Sequence, residues 1–201
     1  MNKVFINSLL NHLFSLYDKI CCRLISTVES LYFLMIGVEY GGNGKFHGWC
    51  SVYKRPYSSI KIGKNCIFNS SHYSNHIGLN HRCIITTMTK DAEVVIGDNV
   101  GVSSSSITSF KSVSIGNNVR IGANCVIMDG DFHLDDPRTS PPAPITIKDN
   151  VWLGYGVIVM KGVTIGENSV IGVNSIVTKN IPANIVAAGN PCKIIRSLEQ
   201  V

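Results

Sequence analysis

Six hexapeptides follow one another without a gap from Ile147 to Pro182, and they read IKDNVW, LGYGVI, VMKGVT, IGENSV, IGVNSI and VTKNIP. The first position is always aliphatic, and the fifth is small or β-branched. A period of six fits neither a helix of 3.6 residues per turn nor an ordinary strand. It predicts a chain that turns a corner every six residues, with inward-facing side chains on each side, which is typical of a parallel β-helix.

The repeats divide the chain into segments. They begin at IKIGKN, residues 60–65, and stop in residues 128–146, MDGDFHLDDPRTSPPAPIT. Proline lacks the ladder donor, and the aspartates would point into the core, so this stretch predicts a projecting loop. We therefore expect an N-terminal helical or transition segment at 1–57, a β-helix domain at 58–182 and a tail at 183–201.

The composition excludes several classes of protein. Charged residues make up 15% of the 201 residues and hydrophobic residues 45%, which argues against disorder. The net charge of +5 comes from scattered basic residues, so a nucleic-acid partner is not expected. Cys66 and Cys125 occupy the small inward slot of repeats and should be buried. Seven cysteines without framework spacing favour a reduced, cytoplasmic compartment.

The first 36 residues form a separate apolar segment. Charged residues interrupt it, so a spanning helix is not expected. No small-residue cleavage site follows an apolar run, so a signal peptide is not expected either. Aliphatic residues recur every three or four positions, which predicts one or two amphipathic helices. We call this set the N-terminal stripe: Leu9, Leu13, Leu16, Ile20, Leu24, Val28, Leu31 and Met35. The helices could pack on the coil end or on a neighbouring subunit, or dock on the inner face of the membrane.

His133, in the predicted loop, is the leading candidate for chemistry. A histidine can accept a proton from a hydroxyl at neutral pH, and a nearby carboxylate could orient its ring. The candidates for that carboxylate are Asp129, Asp131, Asp135 and Asp136. The alternative is a solvated acidic turn with an incidental histidine.

Two other groups offer weaker alternatives. His72, His76 and His81 could ligate a metal, but no cysteine or carboxylate completes a convincing set, and a polar coil surface is the simpler interpretation. Trp152 must face outward or into a subunit contact. Cys125 is close to the loop but points inward, so it is not expected to be a nucleophile.

Residues 60–196, and most clearly Pro144–Arg196, resemble the hexapeptide-repeat acyltransferases, in particular the maltose, galactoside and surface-polysaccharide O-acetyltransferases. The resemblance implies a left-handed parallel β-helix, a homotrimer with active sites between subunits, and acetyl-CoA as co-substrate, with no metal. It also implies that His133 is the catalytic base, with Asp131 in a D-x-H pattern.

The same resemblance assigns binding roles. Trp152 would lie beside the acceptor, and Ser103 occupies the region where galactoside enzymes carry an acceptor-binding asparagine, so the acceptor pocket differs. The implied coenzyme A contacts are the backbone near Gly154, Tyr155, Gly172 and Val173, together with Lys179, Asn190 and Arg196.

The sequence and the resemblance thus predict an acetyl-CoA-dependent O-acetyltransferase acting on a sugar hydroxyl, with a surface polysaccharide or its precursor as the expected acceptor. N-acetylation of an amino sugar, acetylation of a xenobiotic, a metal hydratase of the γ-carbonic-anhydrase type and a non-catalytic scaffold are the alternatives.

Overall fold

The computed structural model describes residues 3–198, which form one long helix followed by short strands. The helix α1 spans Lys3–Met35. The strands are β1 Glu39–Tyr40, β2 Lys45–His47, β3 Ser51–Tyr53, β4 Ser59–Ile62, β5 Ile67–Asn69, β6 Ile84–Thr87, β7 Glu93–Ile96, β8 Gly101–Ser103, β9 Ser106–Ser109, β10 Ser112–Ile115, β11 Arg120–Ala123, β12 Val126–Met128, β13 Ile145–Ile147, β14 Trp152–Leu153, β15 Ile158–Val159, β16 Thr164–Ile165, β17 Val170–Ile171, β18 Ile176–Val177, β19 Ile185–Ala188 and β20 Lys193–Ser197.

Successive strands visit three sheets in turn. Sheet A has the order β1-β4-β7-β10-β13-β16, sheet B has β2-β5-β8-β11-β14-β17-β19-β20, and sheet C has β18-β15-β12-β9-β6-β3. Neighbours within each sheet are parallel and lie one coil apart, whereas β20 pairs antiparallel with β19 at the end of sheet B. The arrangement fits the parallel β-helix that the repeats predict and the left-handed form that the resemblance implies.

The hexapeptide positions fill the core as predicted. Each first-position and fifth-position side chain between Ile147 and Ile181 is at most 5% exposed. Cys66 and Cys125 are also fully buried. Because each coil contributes one large and one small side chain per side, the coils stack at constant spacing with a continuous apolar interior.

An asparagine ladder defines the corner where sheet A turns into sheet B. Its members adopt left-handed backbone conformations with φ between 56° and 59°. Asparagine tolerates this conformation better than most residues with a side chain. Each side-chain amide donates to the next, over 2.9–3.3 Å, along Asn65, Asn99, Asn118, Asn150, Asn168 and Asn184.

Helix α1 covers the first coil of the β-helix. Phe33 is fully buried, and its ring packs edge-to-face on Phe46 at 5.5 Å. Three polar side chains of α1 bond the edge strands and nearby backbone: Ser26 Oγ accepts from the Phe46 N–H, Glu29 Oε1 accepts from the Cys50 N–H, and the Tyr32 hydroxyl donates to the Val52 carbonyl. The helix therefore protects a sheet edge that would otherwise pair with another chain.

The N-terminal stripe is not the face that packs on the coil. All eight of its side chains are between 47% and 84% exposed. The expectation that the N-terminal helix packs on the coil end is confirmed, but the contact uses a face of α1 other than the stripe. The edge of a sheet needs hydrogen-bond partners, so α1 turns a partly polar face inward. Among residues 3–198, no helix has the length and apolar character needed to span a membrane.

The paired strands of the β-helix extend beyond the predicted domain of residues 58–182 at both ends. Paired strands begin at Glu39, inside the segment that the sequence assigns to the transition, and β19 adds a parallel strand after residue 182. Aromatic residues fill the first coils, where the rings of Phe46 and Phe68 stack at 5.0 Å. Because these inward positions are aromatic rather than aliphatic, the hexapeptide pattern is not recognisable there. Residues 129–144 join β12 to β13 without a strand, where the repeats break. The projection of this segment stays a prediction.

Candidate active site

A buried carboxylate fixes the start of the segment 129–144. Asp129 is fully buried, and its two oxygens accept from the Ser109 hydroxyl at 3.0 Å and from the N–H groups of Phe110, Lys111 and Ser112 at 2.5–2.9 Å. Its carbonyl accepts from the Ala143 N–H at 2.9 Å, which ties the two ends of the segment together. Asp129 is thus fully engaged in holding the segment and is not available to orient His133.

The side chain of Asp131 contacts a lysine rather than the predicted histidine. Lys161 Nζ donates to Asp131 Oδ2 at 2.6 Å and to the Ser140 carbonyl at 2.7 Å. The His133 carbonyl accepts from the Asp136 N–H at 3.1 Å and from the Thr139 hydroxyl at 3.2 Å, which closes a turn. The His133 side chain is exposed, and within residues 3–198 no hydrogen bond reaches its ring. The predicted Asp131–His133 contact is therefore not formed in this chain.

Asp136 is paired as well. Its carboxylate accepts from Arg138 Nε at 2.9 Å, and this bond lowers the pKa of the carboxyl group from its ordinary value. Asp135 is exposed. Of the four aspartates considered, three therefore have other partners.

A groove on sheet B brings together the two predicted acceptor-binding residues. It has a volume of about 480 Å³ and is lined by Ser103 and Trp152, with Asn69, Asn99 and Arg120 among its other walls. The Ser103 hydroxyl is buried and accepts from Asn69 Nδ2 at 3.1 Å. Trp152 is exposed and pairs with Arg120 across β11 and β14. An aromatic face beside several amide and hydroxyl groups can bind a ring that carries hydroxyls.

Within residues 3–198, two backbone N–H groups have no hydrogen-bond partner where sheet B turns toward sheet C. The N–H groups of Gly154 and Gly172 donate to the next coil, each over 2.8 Å, and so serve the ladder. Within residues 3–198, the N–H groups of Tyr155 and Val173 make no hydrogen bond. A Cβ atom at Gly122 would lie 2.8 Å from the Tyr155 nitrogen, and one at Gly154 would lie 2.9 Å from the Val173 nitrogen. The absence of a side chain at Gly122 and Gly154 thus allows the following coil to stack closely at these two N–H groups.

The remaining predicted coenzyme A residues lie on two parts of the molecule. Lys179 is exposed at the corner between sheets C and A, two positions after Val177 of β18. Lys161 follows Val159 in the same way, one coil earlier. Asn190 lies between β19 and β20, and Arg196 on β20 is paired with Val186 at the end of sheet B. Both are exposed.

These groups belong to different sides and corners of the β-helix. His133 and Lys179 lie at the corner between sheets C and A, which sheet B does not border. Ser103 and Trp152 lie on sheet B, and the open amides lie at the corner between sheets B and C. His133 therefore lies in a segment that leaves the β-helix at the corner opposite sheet B.

The rival groups do not form sites within the described chain. His72 and His76 are exposed, and His81 Nδ1 lies 2.6 Å from the Arg82 carbonyl. Across residues 3–198, no three His, Cys, Asp or Glu side chains are grouped closely enough to hold a metal ion. Burial raises the pKa of the Cys125 thiol to about 11, so it stays a neutral core residue.

The structure adds two residues, Lys161 and Arg120, to those predicted from the sequence. Lys161 occupies the same repeat slot in VMKGVT as Lys179 in VTKNIP, and that equivalence was the available signal. Arg120 precedes Ile121, just as Trp152 precedes Leu153, so strand register would have placed it beside Trp152.

Two family models match this chain. The model described as bacterial transferase hexapeptide (six repeats) matches residues 144–179, and the model described as hexapeptide repeat of succinyl-transferase matches residues 93–129. The two matches lie on either side of the break at residues 130–143.

Curated proteins and a solved structure extend the comparison. The galactoside O-acetyltransferase of Escherichia coli (strain K12) is 41% identical over 130 residues, which cover 64% of this chain and 57% of that protein. The galactoside O-acetyltransferase of Lactococcus lactis subsp. lactis (strain IL1403) is 35% identical over 150 residues, with coverages of 69% and 63%. A solved structure with a similar fold is AntD, an N-acyltransferase from Bacillus cereus in complex with dTDP and 3-hydroxybutyryl-CoA. Its TM-score is 0.63 at 18% identity, and the match covers 85% of this chain and 88% of that chain. The match spans between 44% and 64% of the length of the first curated relatives.

Proposed function

Because this chain belongs to the hexapeptide-repeat acyltransferase family, we propose that it is an O-acetyltransferase that moves an acetyl group from acetyl-CoA to a sugar hydroxyl. The observation that carries the proposal is the state of His133. Its ring is exposed and makes no hydrogen bond within residues 3–198, while Asp129 and the Lys161–Asp131 pair hold the segment around it. A free imidazole on an anchored segment suits a general base.

In the proposed reaction, His133 accepts the proton of the attacking hydroxyl. The hydroxyl oxygen then bonds to the carbonyl carbon of the thioester, and the carbon–sulfur bond breaks. The protonated His133 returns its proton to the departing thiolate of coenzyme A. The transfer is direct, because Cys125 is buried and neutral and no other nucleophile is proposed in this site.

The open backbone donors support the coenzyme side of the proposal. The N–H groups of Tyr155 and Val173 lie one coil apart and are unpartnered in the described chain. Such donors can bind amide groups of a pantetheine arm or the oxygen that becomes negative during transfer, an effect worth about 10²–10³ in rate. Lys179 and Arg196 are exposed cations that suit the phosphates of coenzyme A.

The sheet B groove supports a sugar acceptor. Trp152 offers an aromatic face, and Ser103, Asn69 and Asn99 offer hydrogen-bonding groups at the same groove. The part of the molecule that carries His133 lies elsewhere on the chain, so the proposal includes a symmetric homotrimer in which His133 of one subunit meets the sheet B groove of the next.

The first experiment removes the base. His133→Ala should lower the rate of coenzyme A release from acetyl-CoA about 10²–10⁴-fold over a panel of sugars and amino sugars, while coenzyme A still binds in calorimetry. His76→Ala is the matched control, since that side chain is also exposed but lies in a different loop. Turnover of His133→Ala near that of the control would disprove the role of His133.

The second experiment tests the shared site. Mixed oligomers of His133→Ala and Trp152→Ala chains should recover up to about a quarter of wild-type turnover, since one interface in four would pair two intact halves in a random mixture. Each variant alone should be inactive. No recovery in the mixture, with mixed oligomers present, would place both residues in one subunit.

A further inference from the structure

A second group of reactive side chains lies between α1 and β2, away from the proposed acetyl-transfer site. Cys22 Sγ lies 3.7 Å from His47 Nε2, and His47 Nδ1 lies 3.6 Å from Asp18 Oδ2. Asp18 and Cys22 are four residues apart, so they share one face of α1, and His47 is the last residue of β2. A thiol, an imidazole and a carboxylate in this order are the parts of an activated nucleophile.

The histidine in this group lacks a hydrogen bond that a buried structural histidine would normally make. His47 Nδ1 is buried and has no hydrogen-bond partner within the described part of the chain. Buried polar side-chain atoms are usually paired, so an unpaired ring nitrogen needs an explanation. The Asp18 carboxylate, 3.6 Å away, is slightly too distant for a hydrogen bond. Catalytic hydrogen bonds are often long before the substrate binds and tighten afterwards.

Two cavities of different character meet at these three residues. One, of about 680 Å³, carries the cations Lys19, Arg23 and Lys45. The other, of about 440 Å³, carries apolar and aromatic side chains, among them Phe14, Tyr17, Ile25 and Tyr73. The residues that line both cavities are Asp18, Cys22 and His47.

We propose that Cys22 is an acyl-accepting nucleophile that takes an apolar acyl chain from a thioester on a phosphorylated carrier. The basic cavity suits the phosphates of the carrier, and the aromatic cavity suits the acyl chain. The thioester carbonyl would then lie at the junction, beside the thiol. The site does not depend on the proposed sugar acetylation, because it uses none of the residues assigned to that reaction.

The step balances as a thioester exchange. His47 Nε2 accepts the proton of the Cys22 thiol, and the sulfur bonds to the carbonyl carbon of the thioester. The bond from that carbon to the carrier sulfur breaks, and the carrier thiolate takes the proton from His47. The products are S-acylated Cys22 and the free carrier thiol, and no oxidant or other reactant is required.

The test uses octanoyl-CoA as the probe and mass spectrometry of the full-length protein and its peptides as the readout. Wild-type protein and the neighbouring control Cys21→Ser should gain one octanoyl group at Cys22, and Cys22→Ser should gain none. His47→Gln should slow the labelling about 10²-fold or more, and Asp18→Asn should also slow it. Octanoyl-N-acetylcysteamine, which lacks the phosphates, should label more slowly than octanoyl-CoA at equal concentration.

A measurement on the wild-type protein guards against variants that fail to fold. Iodoacetamide should alkylate Cys22 faster than Cys21 at neutral pH, and octanoyl-CoA should protect Cys22. Equal alkylation of the two cysteines without protection, or labelling that His47→Gln leaves unchanged, would overturn the proposal. His133→Ala should still be labelled at Cys22. Intact sugar acetylation without labelling would refute only this site, whereas labelling without sugar acetylation would refute only the proposed function.

Discussion

Replacing Asp129 by alanine should destabilise the protein more than any other single change in the segment 129–144. The side chain is fully buried and accepts four hydrogen bonds, from the Ser109 hydroxyl and from three N–H groups. Ser109 and Phe110 are themselves buried, so at least two donors would lose their partner without gaining water. A buried unsatisfied donor costs about 1–3 kcal/mol, so the free energy of unfolding should fall by about 2–6 kcal/mol.

The assay is urea unfolding followed by circular dichroism, with the midpoint as the primary readout because coils of a solenoid need not unfold together. Asp129→Asn keeps the shape of the side chain but turns an N–H₂ group toward the donors, and it should still lose about 1–3 kcal/mol. Asp135→Ala is the control, because that side chain is exposed in the same segment. If Asp129→Ala unfolds within about 0.5 kcal/mol of the control, the anchoring role is wrong.

Three further predictions concern other parts of the molecule. Burial raises the pKa of Glu29, so the stability that this side chain contributes is present at low pH and is lost as the pH rises through the raised pKa. The melting temperature of Glu29→Gln should therefore fall less with rising pH than that of the wild type. Parallel plots of melting temperature against pH for the two proteins would contradict this. A water-soluble thiol reagent at pH 8 should leave Cys125 unmodified in the folded protein and label it after unfolding, because burial raises its pKa to about 11. Lys161→Met should increase amide exchange in residues 131–140 and reduce sugar turnover, whereas the exposed control Lys148→Met should change neither.

The coils between Ile147 and Ile181 could be predicted from the sequence because one rule governs every position. An inward slot admits only an apolar or small side chain, and the burial of Leu153 and Ser169 follows from that rule alone. The first two coils do not follow this rule, because Phe46 and Phe68 fill their interior with stacked rings. Large rings break the alternation of large and small residues that made the later repeats visible.

The orientation of α1 could not be predicted from apolar periodicity. The periodicity identified the N-terminal stripe, but the face that contacts the first coil carries Ser26, Glu29 and Tyr32. These polar side chains are needed because backbone groups of the first coil lack partners. The sequence of the helix alone gives no information about those groups.

The roles of the candidate site residues stay predictions, but the structure does bear on the contacts among them. Ser103 and Trp152 do share a groove. The pairing of Asp131 with His133 rested on their closeness in sequence, while the structure brings Lys161 to Asp131 from the next coil. Contacts between coils join residues about thirty positions apart at this point, and sequence spacing within a loop does not reveal them.

The position of α1 also has a consequence for the order of events during synthesis. The helix leaves the ribosome before the strands that it covers, so α1 is available for packing when the first coil emerges. Each later coil then adds to the one made just before it, since neighbouring strands in a sheet belong to successive coils. The coils would therefore fold in the order in which they are synthesised, because each coil pairs with the coil made just before it.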